Sequence, residues 1–295
     1  METVTQRGIK NNLRQFTLLI AMNALVGALV GQERTLIPLL AEHEFAVSSS
    51  LATSLFLVTF GLAKAPSNLL AGLLAERYGP RRVQIWGWIF GIPVPLMLMF
   101  GPSWGWVIAA NLLLGINQGL TWSTTVLMKI QLAADHERGK AVGLNEFAGY
   151  SAVGLSALLS GLIADKMGIR PAPFVLGMVV VLAGVVFSGR WLRDSHRVTV
   201  RHPHLELRAI RGNPVLRICS RTGLVNNAND AFVWALMPVL LARAGMATGQ
   251  IAVVAAAYPI AWGVLQLATG TMSDRLGRKG PIAGGMLLQA VALVG

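Results

Sequence analysis

GLLAERYGPRR, from Gly72 to Arg82, and GTMSDRLGRKG, from Gly270 to Gly280, are two copies of one pattern set 198 positions apart (72 to 270). Each copy opens on a glycine (Gly72, Gly270), reaches a carboxylate one helical turn later (Glu76, Asp274) and follows it with an arginine (Arg77, Arg275). A second glycine (Gly79, Gly277) and a basic cluster (Arg81 and Arg82, Arg278 and Lys279) complete it. A second signal agrees. Ile37-Pro38-Leu39-Leu40-Ala41 and Met237-Pro238-Val239-Leu240-Leu241-Ala242 set two prolines 200 positions apart (38 to 238). Separate features at nearly one offset point to an internal parallel duplication, a plan that transporters use.

The flanking sequence says what was duplicated. Of 295 residues, 54% are hydrophobic and only 13% charged, with a mean hydropathy of +0.58. A soluble domain carries about 25% charged residues, so this chain has too few to cover a water-exposed surface. Its apolar runs are long enough to cross a bilayer as helices of about 20 residues. Continuous runs such as 175–186 lack the alternation of a membrane strand. The reading is an all-α membrane protein of about eight complete transmembrane helices plus a truncated ninth. The spans lie near 16–40, 50–75, 83–100, 104–128, 141–164, 171–188, 218–241 and 250–272, and the ninth starts near 281. They divide into an N-terminal six-helix bundle (1–189), a cytoplasmic basic linker (190–217) and an incomplete C-terminal bundle (218–295).

The formal charge of +12 reads as topology rather than as nucleic-acid binding, because basic residues collect in alternate loops. Arg7, Lys10 and Arg14 precede the first span, and the first cassette follows the second. Lys129, Arg138 and Lys140 stand between the fourth and fifth, an arginine-rich stretch from Arg190 to Arg221 precedes the seventh, and the second cassette follows the eighth. The opposite side receives only Arg34 near the end of the first span, Lys166 and Arg170 after the fifth, and Arg243 after the seventh. Positive loops stay in the cytoplasm, which places the N-terminus inside a multi-pass cytoplasmic (inner) membrane protein. The first apolar run reads as a retained span, since no small-residue cleavage site follows it. Cys219 is alone, so the chain forms no internal disulfide.

On these cassettes and this span pattern, the chain resembles the major facilitator superfamily over its whole length. It departs from that family's loop in having Glu76 where aspartate is usual and Pro80 where a basic residue is common. The resemblance implies MFS-type helical bundles, two six-helix units rocking about a central cavity, and a monomer when full length. Since that family has twelve spans, it also implies a C-terminally incomplete chain. It further implies a conformational latch on the cytoplasmic side, formed by Gly72, Glu76, Arg77, Gly79 and Arg81 with Gly270, Asp274, Arg275, Gly277 and Arg278. From the residues alone, the first glycines admit close helix approach, the second permit a tight turn, and the carboxylates accept bonds from arginine or helix-start amides; a plain positive-inside anchor fits the same spacing.

Polar residues within the spans are the candidate substrate and proton pathway. An intramembrane carboxylate is costly and tends to take a proton, which makes Asp230, among Asn226, Asn227 and Asn229, the leading coupling or binding candidate. Lys64, with Asn68 one turn on, sits too deep to snorkel and either binds an anion, pairs with a carboxylate such as Asp230, or loses its charge. Asn23 lies mid-span, and Glu33 and Arg34 are neighbours with different partners, either a gate or an interfacial pair. Asn111, Gln118 and Trp122 share a stripe that fits a cavity wall or a helix contact. Glu146 is either a second protonatable site or an anchor for Arg138. The glycine-rich fifth span resembles that of exporters but lacks their proline.

Nothing here reads as an enzyme. Cys219 has no histidine near it, His202 and His204 lack further ligands for a metal, and the cassettes lack the strand and lysine of a phosphate loop. No cofactor or metal is expected. The function read from the sequence is a secondary active transporter of a small organic or anionic solute, working by alternating access with proton coupling. The alternative is a non-transporting receptor or scaffold derived from the same fold.

Overall fold

The computed structural model describes residues 7–47, 50–194 and 212–294, all of it helix, turn or coil. The helices are α1 (Leu13–Arg34), α2 (Leu36–His43), α3 (Ser50–Tyr78), α4 (Pro80–Gly91), α5 (Pro93–Phe100) and α6 (Trp104–Leu132). They continue as α7 (Arg138–Met167), α8 (Ala172–Arg190), α9 (Pro214–Arg243), α10 (Thr248–Leu276) and α11 (Lys279–Val294). Most of the arginine-rich linker, with Arg197, Arg201, Arg208 and Arg211, and also His196, His202 and His204, lies outside the described residues.

Two of the expected spans are each broken into two helices by proline chemistry. Pro38 has no N–H to give the carbonyl four residues back, and α1 ends at that residue, Arg34, before α2 resumes. Pro93 likewise separates α4 from α5. Pro238 sits inside α9, which runs on through it.

Among the described residues six helical stretches are long and apolar enough to cross a membrane: Lys10–His43, Ser54–Tyr78, Pro80–Phe100, Asp135–Met167, Ala172–Arg190 and Thr248–Leu276. The chain is thus a multi-pass, all-α membrane bundle, but the count of eight plus one exceeds what hydropathy supports. The difference has a physical source. α6 and α9 are long enough but are diluted by Asn111, Asn117 and Gln118 in one and by Asn226, Asn227, Asn229 and Asp230 in the other, while α11 has 16 residues.

One apolar core joins α1 through α8. Trp88, Phe56 and Phe174 are its largest fully covered rings, with Met22, Leu29 and Leu114 between them. α1 packs on α6, α7 and α8, while α3 lies along α6. The second repeat attaches by a different route: α10 runs the full length of α7. A Cβ on Gly143 would stand 2.5 Å from the Gln266 carbonyl oxygen, one on Gly270 2.6 Å from that of Gly139, and one on Gly154 2.8 Å from that of Ala256. These helices meet backbone to backbone, which only the absence of side chains permits. α9 touches α2, α3 and α10.

Candidate functional site

Between α1, α3, α6 and α7 on one side and α9 on the other lies a cavity of about 830 Å³. Along α3 it extends from Leu57 to Gly72, which at 1.5 Å per residue is about 22 Å of helix. Its walls are mostly apolar, and the polar groups among them come from both repeats. Of the residues singled out in the sequence, Arg34, Lys64, Asn68, Gln118, Trp122, Glu146, Asn227 and Asp230 face it.

Three do not line this cavity. Asn23 is fully buried, donating from Nδ2 to the Asn145 carbonyl at 2.7 Å and accepting from the Thr125 hydroxyl at 3.0 Å. Asn111 lies two turns from Gln118 on the same stripe, but α1 covers it there, and its Nδ2 donates to Glu33 at 3.4 Å. Asn226 is half-buried and off the lining, while its neighbour Asn227 is on it.

Arg34 ends α1 at the proline break and is 2% exposed. Its guanidinium carbon sits 4.7 Å from the ring centre of Phe60 and 4.7 Å from that of Trp234. Its three side-chain nitrogens have no hydrogen-bond partner among the described residues. Of the gate and the interfacial pair expected here, the interfacial pair is absent: Arg34 lies in the interior on the cavity wall, and its neighbour Glu33 turns away to Asn111. The repeat explains where Arg34 meets its ring. Arg34 precedes Pro38 by one turn, and Trp234 precedes Pro238 by one turn, so equivalent positions of the two repeats touch at the cavity's end.

Lys64 shares that setting. Its ammonium lies 5.6 Å from the Phe60 ring centre and 6.0 Å from that of Trp122. No ion pair joins it to Asp230 among the described residues. The Asp230 carboxylate is 3% exposed and accepts a short hydrogen bond from the Tyr258 hydroxyl, which Asn229 also approaches at 3.5 Å.

Glu146 does not anchor Arg138, which pairs instead with Asp135 at 2.8 Å. Its Oε1 accepts from the Trp122 indole at 3.1 Å and from Asn145 Nδ2 at 2.8 Å. Asn145 in turn accepts a short bond from Lys129. Lys129 was expected in a basic loop, but α6 continues to Leu132 and buries it completely.

Sequence reading missed the aromatic framework. Trp122 and Tyr150 meet edge-on at 5.7 Å, Tyr150 stacks on Trp262 at 5.2 Å, Trp262 meets Tyr258 at 6.2 Å, and Tyr258 meets Trp234 at 6.5 Å. Arg34 links Trp234 to Phe60, and Lys64 links Phe60 to Trp122. Rings and cations close into a girdle. The available signal was the repeat itself, since Phe60 and Tyr258 stand 198 positions apart (60 to 258).

The cassettes are engaged unequally. Asp274 accepts from the backbone N–H of Gly139 at 2.7 Å and of Lys140 at 2.8 Å, so it crosses between repeats to cap the start of α7. At the far end of the same helix pair, Asp165 of α7 accepts from Gly249 N at 3.2 Å near the start of α10. In the first cassette Gly79 adopts φ +88°, Arg81 donates its backbone N–H to Asp194 at the start of the linker at 2.9 Å, and its guanidinium donates to the Ser188 and Gly189 carbonyls, with no contact to the second repeat among these bonds. Glu76 is exposed with no hydrogen-bond partner among the described residues, and Arg77 lies over the Tyr78 ring at 5.2 Å. The close approach expected at Gly72 is absent: nothing stands within 4 Å of a Cβ there, and Gly72 lines the cavity instead. Gly277 has φ +79° with open space around it, and Arg275 and Arg278 are exposed.

A comparison with curated proteins found no match. A family model described as Major Facilitator Superfamily matches residues 16–295.

Proposed function

The chain belongs to the Major Facilitator Superfamily, whose members carry solutes across membranes and are not enzymes, and on that premise we propose that it moves a small solute by proton-coupled alternating access through the cavity between its repeats. The observation that carries this reading is the cavity of about 830 Å³ with Lys64 on one repeat and Asp230 on the other, both on its wall. Had those charges been buried in helix contacts, a receptor or scaffold derived from the fold would be the better reading.

In this mechanism Asp230 holds the coupling proton. It faces the cavity and is bonded to a neutral hydroxyl rather than to a cation, so its protonation state answers to the side of the membrane the cavity faces. Asp274 and the first cassette act as the latch at one membrane face. The spans number eight plus a ninth, with bundles at 1–189 and from 218 onward joined by the 190–217 linker. The N-terminus is cytoplasmic and the membrane is the cell inner membrane; the basic cassettes on one face support this orientation.

The test is uptake into proteoliposomes with an imposed pH gradient, across labelled small acids, amines and neutral solutes. At least one solute should accumulate only with the gradient, and Asp230→Asn should abolish that accumulation. Gradient-driven uptake that survives Asp230→Asn removes Asp230 as proton carrier, and its absence for every solute removes transport.

A further inference from the structure

Aromatic rings on a cavity wall, as Phe60, Trp122, Tyr150 and Trp234 are here, are in general a receptor for a cation, because ring faces attract positive charge. Here the protein's own cations already occupy those faces. Arg34 is held between Phe60 and Trp234, and Lys64 stands by Phe60 and Trp122. An incoming ammonium would meet two fixed positive charges.

The hydrogen-bond inventory points the same way. Both wall carboxylates already hold donors, Asp230 from Tyr258 and Glu146 from Trp122 and Asn145. Two cationic donors on the wall have no acceptor among the described residues: all three nitrogens of Arg34 are buried without one, and Lys64 has no hydrogen bond. A buried guanidinium lacking an acceptor is costly. The guanidinium carbon lies 4.7 Å from each of two ring centres, and the acceptor that forms paired bonds with such a group is a planar carboxylate.

Resting on the transport reading above, we propose that the cavity binds an organic monoanion with a flat apolar body, its carboxylate taken by Arg34 and Lys64 and its body set against Phe60, Trp122 and Trp234. The apolar walls accept the body, and the cations alone select the charge. A purely inorganic anion would leave those walls unfilled.

The test is equilibrium binding to the detergent-solubilised chain of three probes with one ring and different heads: benzoate, neutral benzamide and cationic benzylamine. Benzoate should bind, with benzamide and benzylamine at least about 10-fold weaker, the span expected for a hydrogen bond to a charged group. Arg34→Gln should weaken benzoate by about 10- to 100-fold and leave benzamide unchanged. Because Arg34 is buried, Lys64→Gln, at a half-buried position, serves as a second variant, with a loss of about 3- to 10-fold. Benzamide or benzylamine binding as tightly as benzoate overturns the proposal, as does full benzoate affinity in Lys64→Gln. Benzoate binding without uptake supports the anion site and removes transport. Gradient-driven uptake of an amine without benzoate binding keeps transport and removes the anion site.

Discussion

The two repeats put different chemistry at matching positions around one cavity. Where the first repeat has Arg34 and Phe60, the second has Trp234 and Tyr258; both supply rings and a wall carboxylate, Glu146 in the first and Asp230 in the second, but the cations Arg34 and Lys64 come from the first alone. The cassettes diverge in the same way, since Asp274 reaches across to α7 while Glu76 has no partner among the described residues. The repeated sequence keeps the positive-φ turns at Gly79 and Gly277, whereas Pro38 breaks its helix and Pro238 does not, and each side chain takes a role set by what packs against it.

Matched substitutions break the comparison most directly. Gly270→Ala should destabilise the protein by about 1–3 kcal/mol, because the new methyl meets the Gly139 carbonyl oxygen at 2.6 Å. Gly72→Ala, with open space around it, should be neutral or stabilising by up to about 1 kcal/mol from helix propensity. Thermal unfolding in detergent measures both, and equal effects would mean that α10 does not lie on α7 as described.

The aromatic pair comes next. Tyr258→Phe removes the hydroxyl that Asp230 accepts from and should cost about 1–2 kcal/mol, since it leaves a buried carboxylate short of a donor. Phe60→Tyr adds a hydroxyl where the first repeat has no matching acid and should confer no gain. The acid pair is smallest: Asp274→Asn should cost about 1 kcal/mol by weakening the cap on α7, whereas the exposed Glu76→Gln should stay within about 0.5 kcal/mol of the parent. Reversal of that order would place the working latch in the first cassette.

The elements legible in the sequence were those with a period or a prohibition behind them. The helical bundle followed from apolar runs, the duplication from two offsets, and Asp230, Lys64 and Glu146 from the cost of charge inside a membrane. The aromatic girdle was not legible, because a ring on a membrane helix is indistinguishable from apolar filling until its neighbours are known. Lys129 was misplaced, and Arg34 was left open between a gate and an interfacial pair, for a related reason. Each lies near the expected end of a span, where sequence cannot say whether the helix stops or continues, and the continuation of α6 and the proline break of α1 put both in the interior. Asp165 went unnoticed as a lone acid near a helix end, though it caps α10 as Asp274 caps α7.

The seam between α7 and α10 constrains how the repeats can move. Its glycines bring the backbones into contact at Gly143, Gly154 and Gly270, and a carboxylate pins each end. Sliding one helix along the other would drive larger residues into the narrow places that only glycine fits, so axial travel is blocked. Turning about the seam needs no such collision. If the repeats turn against each other, as the proposed alternating access requires, the line of contact is the axle and the widest displacement falls on the helices farthest from it.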